Sequence, residues 1–259
     1  LTWSQGTIDL NALPNNGGAG TLVNAAGALF EATGDNIIGA TGFADANTPA
    51  GVQRFDNQGT FRKSTGTGIT SIGIAFNNTG TVEVETGTLQ LSANGTDVGG
   101  TYQGSGRLQF TGGTRALDAT SAVTVQDVAF SGGNTSVAGS YAVTGSTTIN
   151  GGAANLSADN VALGNAVLSS GTLSLSGTAS ADTLTQSGGT LGGTGTLTVT
   201  GNATLSGGVM RDAGTTVLQG ATSINGGGIG LDTSRVLRNE GTLTWSQGTI
   251  DLNALPNNG

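Results

Sequence analysis

Two glutamates, Glu83 and Glu85, come closest among the residues of this sequence to a catalytic spacing. In an extended strand, residues two apart project from one face and lie about 7 Å from each other. Carboxyl pairs about 6.5–9.5 Å apart act as acid and base in inverting glycosidases. The same pattern is also typical of two solvated side chains, and Arg62 is the one basic neighbour expected. We therefore treat both glutamates as weak surface-binding candidates and predict no catalytic residue.

Four aromatic residues are the other candidates for ligand contact. Tyr102 and Tyr141 are weak candidates for exposed stacking platforms. Trp3 and Trp245 share a strand face with the neighbouring leucines, and this position favours the core over a sugar-stacking role.

The residue types of this sequence give little reason to expect a metal or cofactor site. The chain has no cysteine and no histidine, which excludes disulfides, thiolate sites and histidine ligation. The stretch 192–200, GGTGTLTVT, approaches the glycine-rich calcium repeat but lacks its aspartate. We predict no cofactor and no metal site.

Composition excludes further classes of partner. The net charge is −8 with only eight Lys and Arg, so no basic face is available for nucleic acid. No stretch reaches the roughly 20 apolar residues of a membrane span. Glycine accounts for 48 of 259 residues and only 9% are charged, yet 35% are hydrophobic. This balance indicates a folded chain whose core is thin and drawn out.

A repeat of about 19 residues runs through the interior of the chain. Glycines recur there at spacings of 18 or 19, mostly with an apolar residue three positions before and another two positions after. The glycines of this ladder are Gly133, Gly152, Gly171, Gly189, Gly208 and Gly227. Short runs that alternate with period two separate them, which is typical of strands with one buried face.

A related motif, apolar-x-Asn-x-Gly-Thr, occurs at 55–60, 76–81 and 237–242. The offset of 21 between the first two places Phe55 under Phe76, Asn57 under Asn78 and Arg62 beside Glu83. We expect Asn57, Asn78 and Asn239 to form turn ladders. Alternation after the motif assigns four further residues to the core, Val82, Val84, Leu89 and Leu91. Lys63 breaks this inward pattern, so either the register slips there or Lys63 lies near an opening.

The ends of the chain repeat each other: 1–17 and 243–259 are identical, at an offset of 242. We interpret 1–242 as one long repeat unit and 243–259 as the start of the next copy. Within the unit, 31–53 lacks clean alternation and is predicted to leave the coil as an irregular excursion, where a binding face would lie.

Short alternating strands at a repeat of 19–21 residues predict an all-β parallel β-helix, or β-solenoid, with one coil per repeat. The unit would hold roughly a dozen coils, with no capping helix at either end. An antiparallel sandwich or barrel also has short strands and glycine-rich turns. It gives no reason for glycines to stay in phase over six coils, so the solenoid is favoured.

The 19-residue coil, the Asn-x-Gly-Thr turns and the GTLxL strands resemble bacterial surface adhesins of the filamentous-haemagglutinin type and the passenger β-helices of autotransporters. The resemblance implies a right-handed β-helix in an extracellular, cell-surface protein with an adhesive, matrix or spacer role. Its partners would be neighbouring repeat units or end-to-end copies, and an extracellular polysaccharide or a cell-surface receptor. A polysaccharide-binding module is the alternative, with a polysaccharide-degrading β-helix third.

Overall fold

In a computed structural model the chain forms an all-β parallel solenoid, which confirms the fold expected from the alternating pattern. The structure describes residues 1–10, 20–39 and 53–252. About ten turns follow one another in the longest of these segments. The strands of the two shorter segments add rungs ahead of them, close to the dozen coils expected. No helix occurs in the described residues.

Each coil contributes to three faces, here named A, B and C, and the strands within each face run parallel. Face A contains β1 (Thr2–Trp3), β4 (Leu29–Ala32), β7 (Thr60–Lys63), β10 (Thr81–Val84), β15 (Ser140–Tyr141), β17 (Val161–Ala162), β19 (Thr178–Ala181), β21 (Thr196–Val199), β23 (Thr215–Leu218) and β26 (Val236–Asn239). Two long strands, β13 (Thr101–Leu117) and β14 (Ala122–Val137), run over all three faces.

Faces B and C are built in the same way. Face B contains β2 (Thr7–Asp9), β5 (Ile37–Gly39), β8 (Ile69–Ile72), β11 (Thr88–Leu91), β24 (Ala221–Ile224) and β27 (Thr242–Trp245). Face C contains β3 (Thr21–Asn24), β6 (Arg54–Asn57), β9 (Ala75–Asn78), β12 (Gly95–Asp97), β25 (Ile229–Leu231) and β28 (Ile250–Asp251). Four strands turn from face B onto face C, β16 (Ser146–Leu156), β18 (Asn165–Leu175), β20 (Thr183–Gly192) and β22 (Ala203–Met210).

The register predicted from the 21-residue offset is confirmed. Phe55 pairs with Phe76 and Asn57 with Asn78 on face C. Arg62 pairs with Glu83 on face A. The Asn57 amide donates to Oδ1 of Asn78 at 2.8 Å, and both side chains are fully buried. Each rung therefore satisfies the polar groups of the one next to it.

The buried asparagine ladder extends one rung further than predicted at one end, and Asn239 does not belong to it. Asn24, which the motif did not mark, donates to Oδ1 of Asn57 at 2.8 Å and forms the rung before it. Asn239 is exposed, and its strand partner is Leu218, so its place in an asparagine ladder of this chain is wrong. The reason is that Asn239 ends a strand of face A, where its neighbour is leucine, whereas Asn57 and Asn78 end strands of face C.

The core runs the length of the solenoid as one continuous cluster. Val82, Val84, Leu89 and Leu91 are buried, as predicted from the alternation. The early coils are packed by aromatic rings, with Phe55 and Phe76 at 5.2 Å between centroids. Further along, smaller aliphatic side chains fill the same columns.

The two tryptophans differ. Trp3 is 7% exposed and packs edge-on against Phe30 at 6.0 Å, as expected of a core residue. Trp245 is 56% exposed, so its assignment to the core is wrong for this chain. It lies on Ile224 below, and no described strand covers it from above.

Glycines at the corner between faces B and C lie directly on the backbone of the preceding coil. A Cβ at Gly171 would overlap the carbonyl oxygen of Gly152, and one at Gly208 would lie 2.5 Å from that of Gly188. Gly208 also has a φ of 93°, which residues with a Cβ adopt at a cost. The predicted ladder thus marks positions where coils approach too closely for a side chain.

Gly227 is the exception, and its place in this ladder is wrong. The nearest atom to a Cβ there is 3.6 Å away, and its φ is not positive. The corner is longer at this coil, because Leu205 and Val209 pair with Ile224 and Gly230. Gly226 and Gly228 supply the positive φ angles instead.

The first part of the predicted excursion at 31–53 contains regular strands. Residues 31–32 and 37–39 belong to regular rungs of faces A and B. That part of the prediction is wrong, because the alternation there is short but still pairs with neighbouring coils. The remainder, 40–52, lies outside the described residues.

Replacement of Gly208 by alanine should destabilise the solenoid, whereas Gly227→Ala should not. Strained backbone at positive φ costs about 1–3 kcal/mol, and the added Cβ also presses on the Gly188 carbonyl. At Gly227 neither cost arises, so we expect a change within about 0.5 kcal/mol. Urea unfolding of the two variants measures the difference. Equal losses would contradict this account of the corner.

Candidate functional site

A charged strip on face A contains the carboxylates singled out from the sequence. Arg62 Nε lies 2.6 Å from Glu83 Oε2 and 3.4 Å from Glu85 Oε1. Gln103, on the next rung, donates to the other oxygen of Glu83 at 3.1 Å. Glu31 pairs with Arg62 from the rung on its other side. The strip therefore alternates acid, base and acid along the axis.

This arrangement is that of a surface ion-pair network. Hydrogen bonding with Glu83, then the charge of that glutamate, raises the pKa of Arg62. The side chains of Glu83 and Glu85 are 21% and 49% exposed. Both carboxylates share one guanidinium on an open sheet face. The geometry that a glycosidase needs, an acid held apart from its base across a cleft, is a different one. The strip can hold a polar ligand only as a shallow charged surface.

Tyr102 and Tyr141 do not form a surface platform, and their prediction as binding candidates is wrong. Tyr102 is fully buried and Tyr141 is 2% exposed. The Tyr141 hydroxyl lies 3.0 Å from Thr147 Oγ1, and burial raises the pKa of this tyrosine. Both rings point into the solenoid because they occupy inward positions of face A, where Val123 pairs with each of them.

Tyr102 belongs to a buried polar cluster with Asp97 and Arg115. Its hydroxyl donates to Asp97 Oδ2 at 2.9 Å. Nη1 of Arg115 lies 3.0 Å from the same carboxylate oxygen, and the backbone N–H of Asn78 donates to Oδ1 at 2.8 Å. None of the three side chains is more than 2% exposed. This is the most deeply buried ion pair among the described residues.

The surroundings of this cluster explain how the chain accommodates a charge inside. Gly95 lies beside Arg115 on the adjacent strand, and a Cβ there would overlap the guanidinium. The guanidinium also lies 5.8 Å and 5.9 Å from the ring centres of Phe76 and Phe110. Burial raises the pKa of Asp97 more than the charge of Arg115 lowers it. Nε and Nη2 of Arg115 have no hydrogen-bond partner.

Lys63 is a second buried charge. It keeps its register between Ala32 and Val84 and is fully buried, so both alternatives predicted for it are wrong. Its ammonium group lies 3.0 Å from Asp35 Oδ1 and donates to Thr70 Oγ1 at 3.1 Å. The opposite charge and the polar partners at the corner allow the ammonium to remain inside.

Face B carries small polar side chains outward in its later coils. Thr204 pairs with Ser223, and Ser223 with Thr244, so their hydroxyl groups form one column. Asn202 and Ala221 border a shallow groove of about 420 Å³ beside this column. The groove offers hydroxyl and amide groups and no charged side chain. It could hydrogen-bond a neutral polar ligand.

Sequence reasoning did not find the buried polar cluster. Asp97 and Arg115 are 18 residues apart, close to one coil, and this spacing was the available signal. A charged residue at an inward phase suggests a buried partner one coil away. The apolar alternation within a single coil carries no information about such a partner.

Other kinds of site find no support in the described residues. No group of three or more acidic side chains is placed to hold a metal ion within 1–10, 20–39 and 53–252. Over the same residues, no helix has the length and apolar character to cross a membrane.

Comparisons of this chain with protein-family models, curated proteins and solved structures found no match.

Removal of the guanidinium from the buried cluster should be costly. Arg115→Met leaves the Asp97 carboxylate without its partner, and such losses cost about 3–5 kcal/mol. The double variant Asp97→Asn/Arg115→Met removes both charges and should regain most of the loss. Urea unfolding near neutral pH compares the three proteins. If the double variant is less stable than Arg115→Met, the pair is not the source of the effect.

The raised pKa of Asp97 should also appear in the pH dependence of stability. Between its unfolded value of 3.8 and the higher folded value, the folded chain holds a proton that the unfolded chain has released. The contribution of Asp97 to stability is therefore complete below the unfolded value and declines as pH rises through the folded value. We expect the free energy of unfolding of the wild type, minus that of Asp97→Asn, to fall across this window. A difference that rises with pH would show a lowered pKa.

Proposed function

We propose that this chain is a structural and adhesive segment of a long, repetitive extracellular bacterial protein, which serves as a stalk, filament or biofilm-matrix fibre. The observation that supports it most is the combination of a parallel solenoid through the described residues with the 17-residue duplication at an offset of 242. Every coil offers the next one a parallel strand edge. A fold of this kind grows along one axis by addition of units.

The outer surface supports a role in adhesion more than one in catalysis. The charged strip of Arg62, Glu83 and Glu85 and the hydroxyl column of face B are both open to solvent. Such surfaces bind weakly at each site and gain strength when units are repeated along one chain. A fibre made of many units would present many copies of both surfaces.

A polysaccharide-binding module is the second candidate. The observation that favours it is the neutral groove beside Thr204 and Ser223 on face B. Hydroxyl and amide groups in register could bond successive sugar units along the groove. In this function, affinity would be present in a single unit and would not need a fibre.

A comparison of one-copy and three-copy chains tests the proposal. The three-copy chain is made of residues 1–242 three times, followed by 243–259. Beads coated with each chain are passed over plain, glycan-coated and cell-coated surfaces under flow. Because of avidity, beads coated with the three-copy chain should stay bound to the surface at least about tenfold longer than beads coated with the one-copy chain. Electron microscopy of the three-copy chain should show a single rod.

The variants separate the alternatives. Thr204→Arg fills the groove, and abolition of glycan binding by it in the one-copy chain would favour the polysaccharide-binding module. Loss of retention in a chain with Glu83→Gln and Glu85→Gln would place adhesion on the charged strip. Cleavage of a polysaccharide by the wild type that both glutamine variants abolish would refute the structural role. If beads coated with the three-copy chain bind to none of the surfaces, the adhesive role is refuted.

A further inference from the structure

We infer that successive copies of the 242-residue unit join with a rotation of one third of a turn. We also infer that the first coil of the following copy, which is 243–252 in this chain, is covered by residues 29–39 of that same copy. The inference rests on the tandem arrangement proposed above and adds its geometry.

Identical residues lie on different faces at the two ends. Residues 1–10 form β1 on face A and β2 on face B. The same ten residues at 243–252 form β27 on face B and β28 on face C. The second copy of the segment is therefore one face further round the solenoid.

The columns of paired residues confirm this shift. The inward column of Ile8 continues through Ile38 and Ile72 and, rung by rung along face B, ends at Trp245. Trp3, which is identical to Trp245 in sequence, begins a different column on face A, beside Ala32.

The number of turns follows from the pairings on face A. Eleven successive pairings lead from β1 to β26. The duplicated segment then begins on the next face, at β27. The 242-residue offset thus spans eleven turns and one further face, about 11⅓ turns of a three-faced coil.

The turn motif shows the same rotation. Asn-x-Gly-Thr at 57–60 and at 78–81 marks the corner from face C to face A. The same motif at 239–242 marks the corner from face A to face B. The faces accept one another's sequences because each is a short parallel ladder with one inward side.

The two copies of the segment also show what covers the second. At the first copy, the backbone N–H groups of Glu31 and Thr33 donate to the carbonyl oxygens of Leu1 and Trp3 at 2.8 and 2.9 Å. Phe30 covers Trp3. At the second copy Trp245 is 56% exposed. Because 243–252 and 1–10 are identical in sequence, the partner that fits β27 and β28 is residues 29–39 of the copy that 243–252 begins.

The same step completes a ladder left open in this chain. Residues 236–239 lie on face A, directly before the duplicated segment begins on face B. At the start of the chain the segment begins on face A, so the equivalent preceding face there is face C. In the next copy, residues 21–24 would lie over 236–239, which places its Asn24 beside Asn239. Asn239 would then begin the buried ladder that continues through Asn57 and Asn78.

Cysteine pairs test the rotation in this chain, which has no cysteine of its own. Ser223→Cys/Thr244→Cys places thiols on directly paired residues of face B. Parallel partners about 4.8 Å apart satisfy disulfide geometry. Val217→Cys/Thr244→Cys is the competing pair. If the unit spanned a whole number of turns, Thr244 would lie on face A like Thr2, in the column of paired residues that contains Val217. Thr204→Cys/Ser223→Cys, one rung lower, is the matched control.

Mild oxidation followed by thiol alkylation and mass spectrometry counts the free thiols. We expect the Ser223/Thr244 pair to lose both thiols to the extent that the control does, while the Val217/Thr244 pair keeps them. The reverse result overturns the rotation. If only the control pair forms a disulfide, the rotation is overturned as well.

Tryptophan quenching by acrylamide tests the covering coil. This chain has two tryptophans, one covered and one exposed, so about half of the emission should be accessible. The three-copy chain described above has four, and only the last should stay exposed. The accessible fraction should then fall to about a quarter, and a fraction that stays near one half overturns the inference. Neither measurement depends on adhesion, so a failure of the proposed function is recognised separately by the bead assay.

Discussion

The parallel backbone ladder between coils is the interaction on which the rest of this structure depends. Each coil bonds its N–H and C=O groups to the coil before and the coil after, which leaves few of these groups free inside the described stack. Successive strands must then lie about 4.8 Å apart on every face. Whatever lies at one position of a coil is therefore in contact with its equivalents above and below.

This spacing explains the unusual composition. Corners of adjacent coils approach so closely that a Cβ at Gly171 would meet the preceding backbone, and glycine is the residue that fits. Polar side chains can be buried when the next rung satisfies them, as Asn57 and Asn78 do. A charge can be buried when an adjacent coil supplies its partner, as Asp97 and Arg115 show. The sparse charge and abundant glycine are thus consequences of stacking.

The periodic part of the fold was predictable from the sequence, because stacking repeats one local rule at a fixed spacing. The pairing of Phe55 with Phe76 and the burial of Val82 follow from alternation and offset alone. Exceptions to the rule were not predictable in this way. Tyr102 occupies an inward position, and its hydroxyl is accepted there by Asp97, five residues earlier across the corner. Trp245 is exposed because its burial needs a coil above it. Both depend on residues outside the strand whose alternation was considered. The pairing of Arg62 with Glu83 was predictable from the 21-residue offset, whereas the sharing of the guanidinium with Glu85 was not.

The change of core packing along the axis gives the solenoid a mechanical polarity. Aromatic rings and aliphatic side chains share the interior from Trp3 to Tyr141, whereas aliphatic side chains fill most of it from there to Ile224. A coil packed by aromatic rings buries more apolar surface than one packed by alanine. Under tension applied to a single end, the coils of a stack separate one after another. Peeling from the aliphatic end should therefore need less force than peeling from the aromatic end. A fibre of such units would then yield at regularly spaced weak segments.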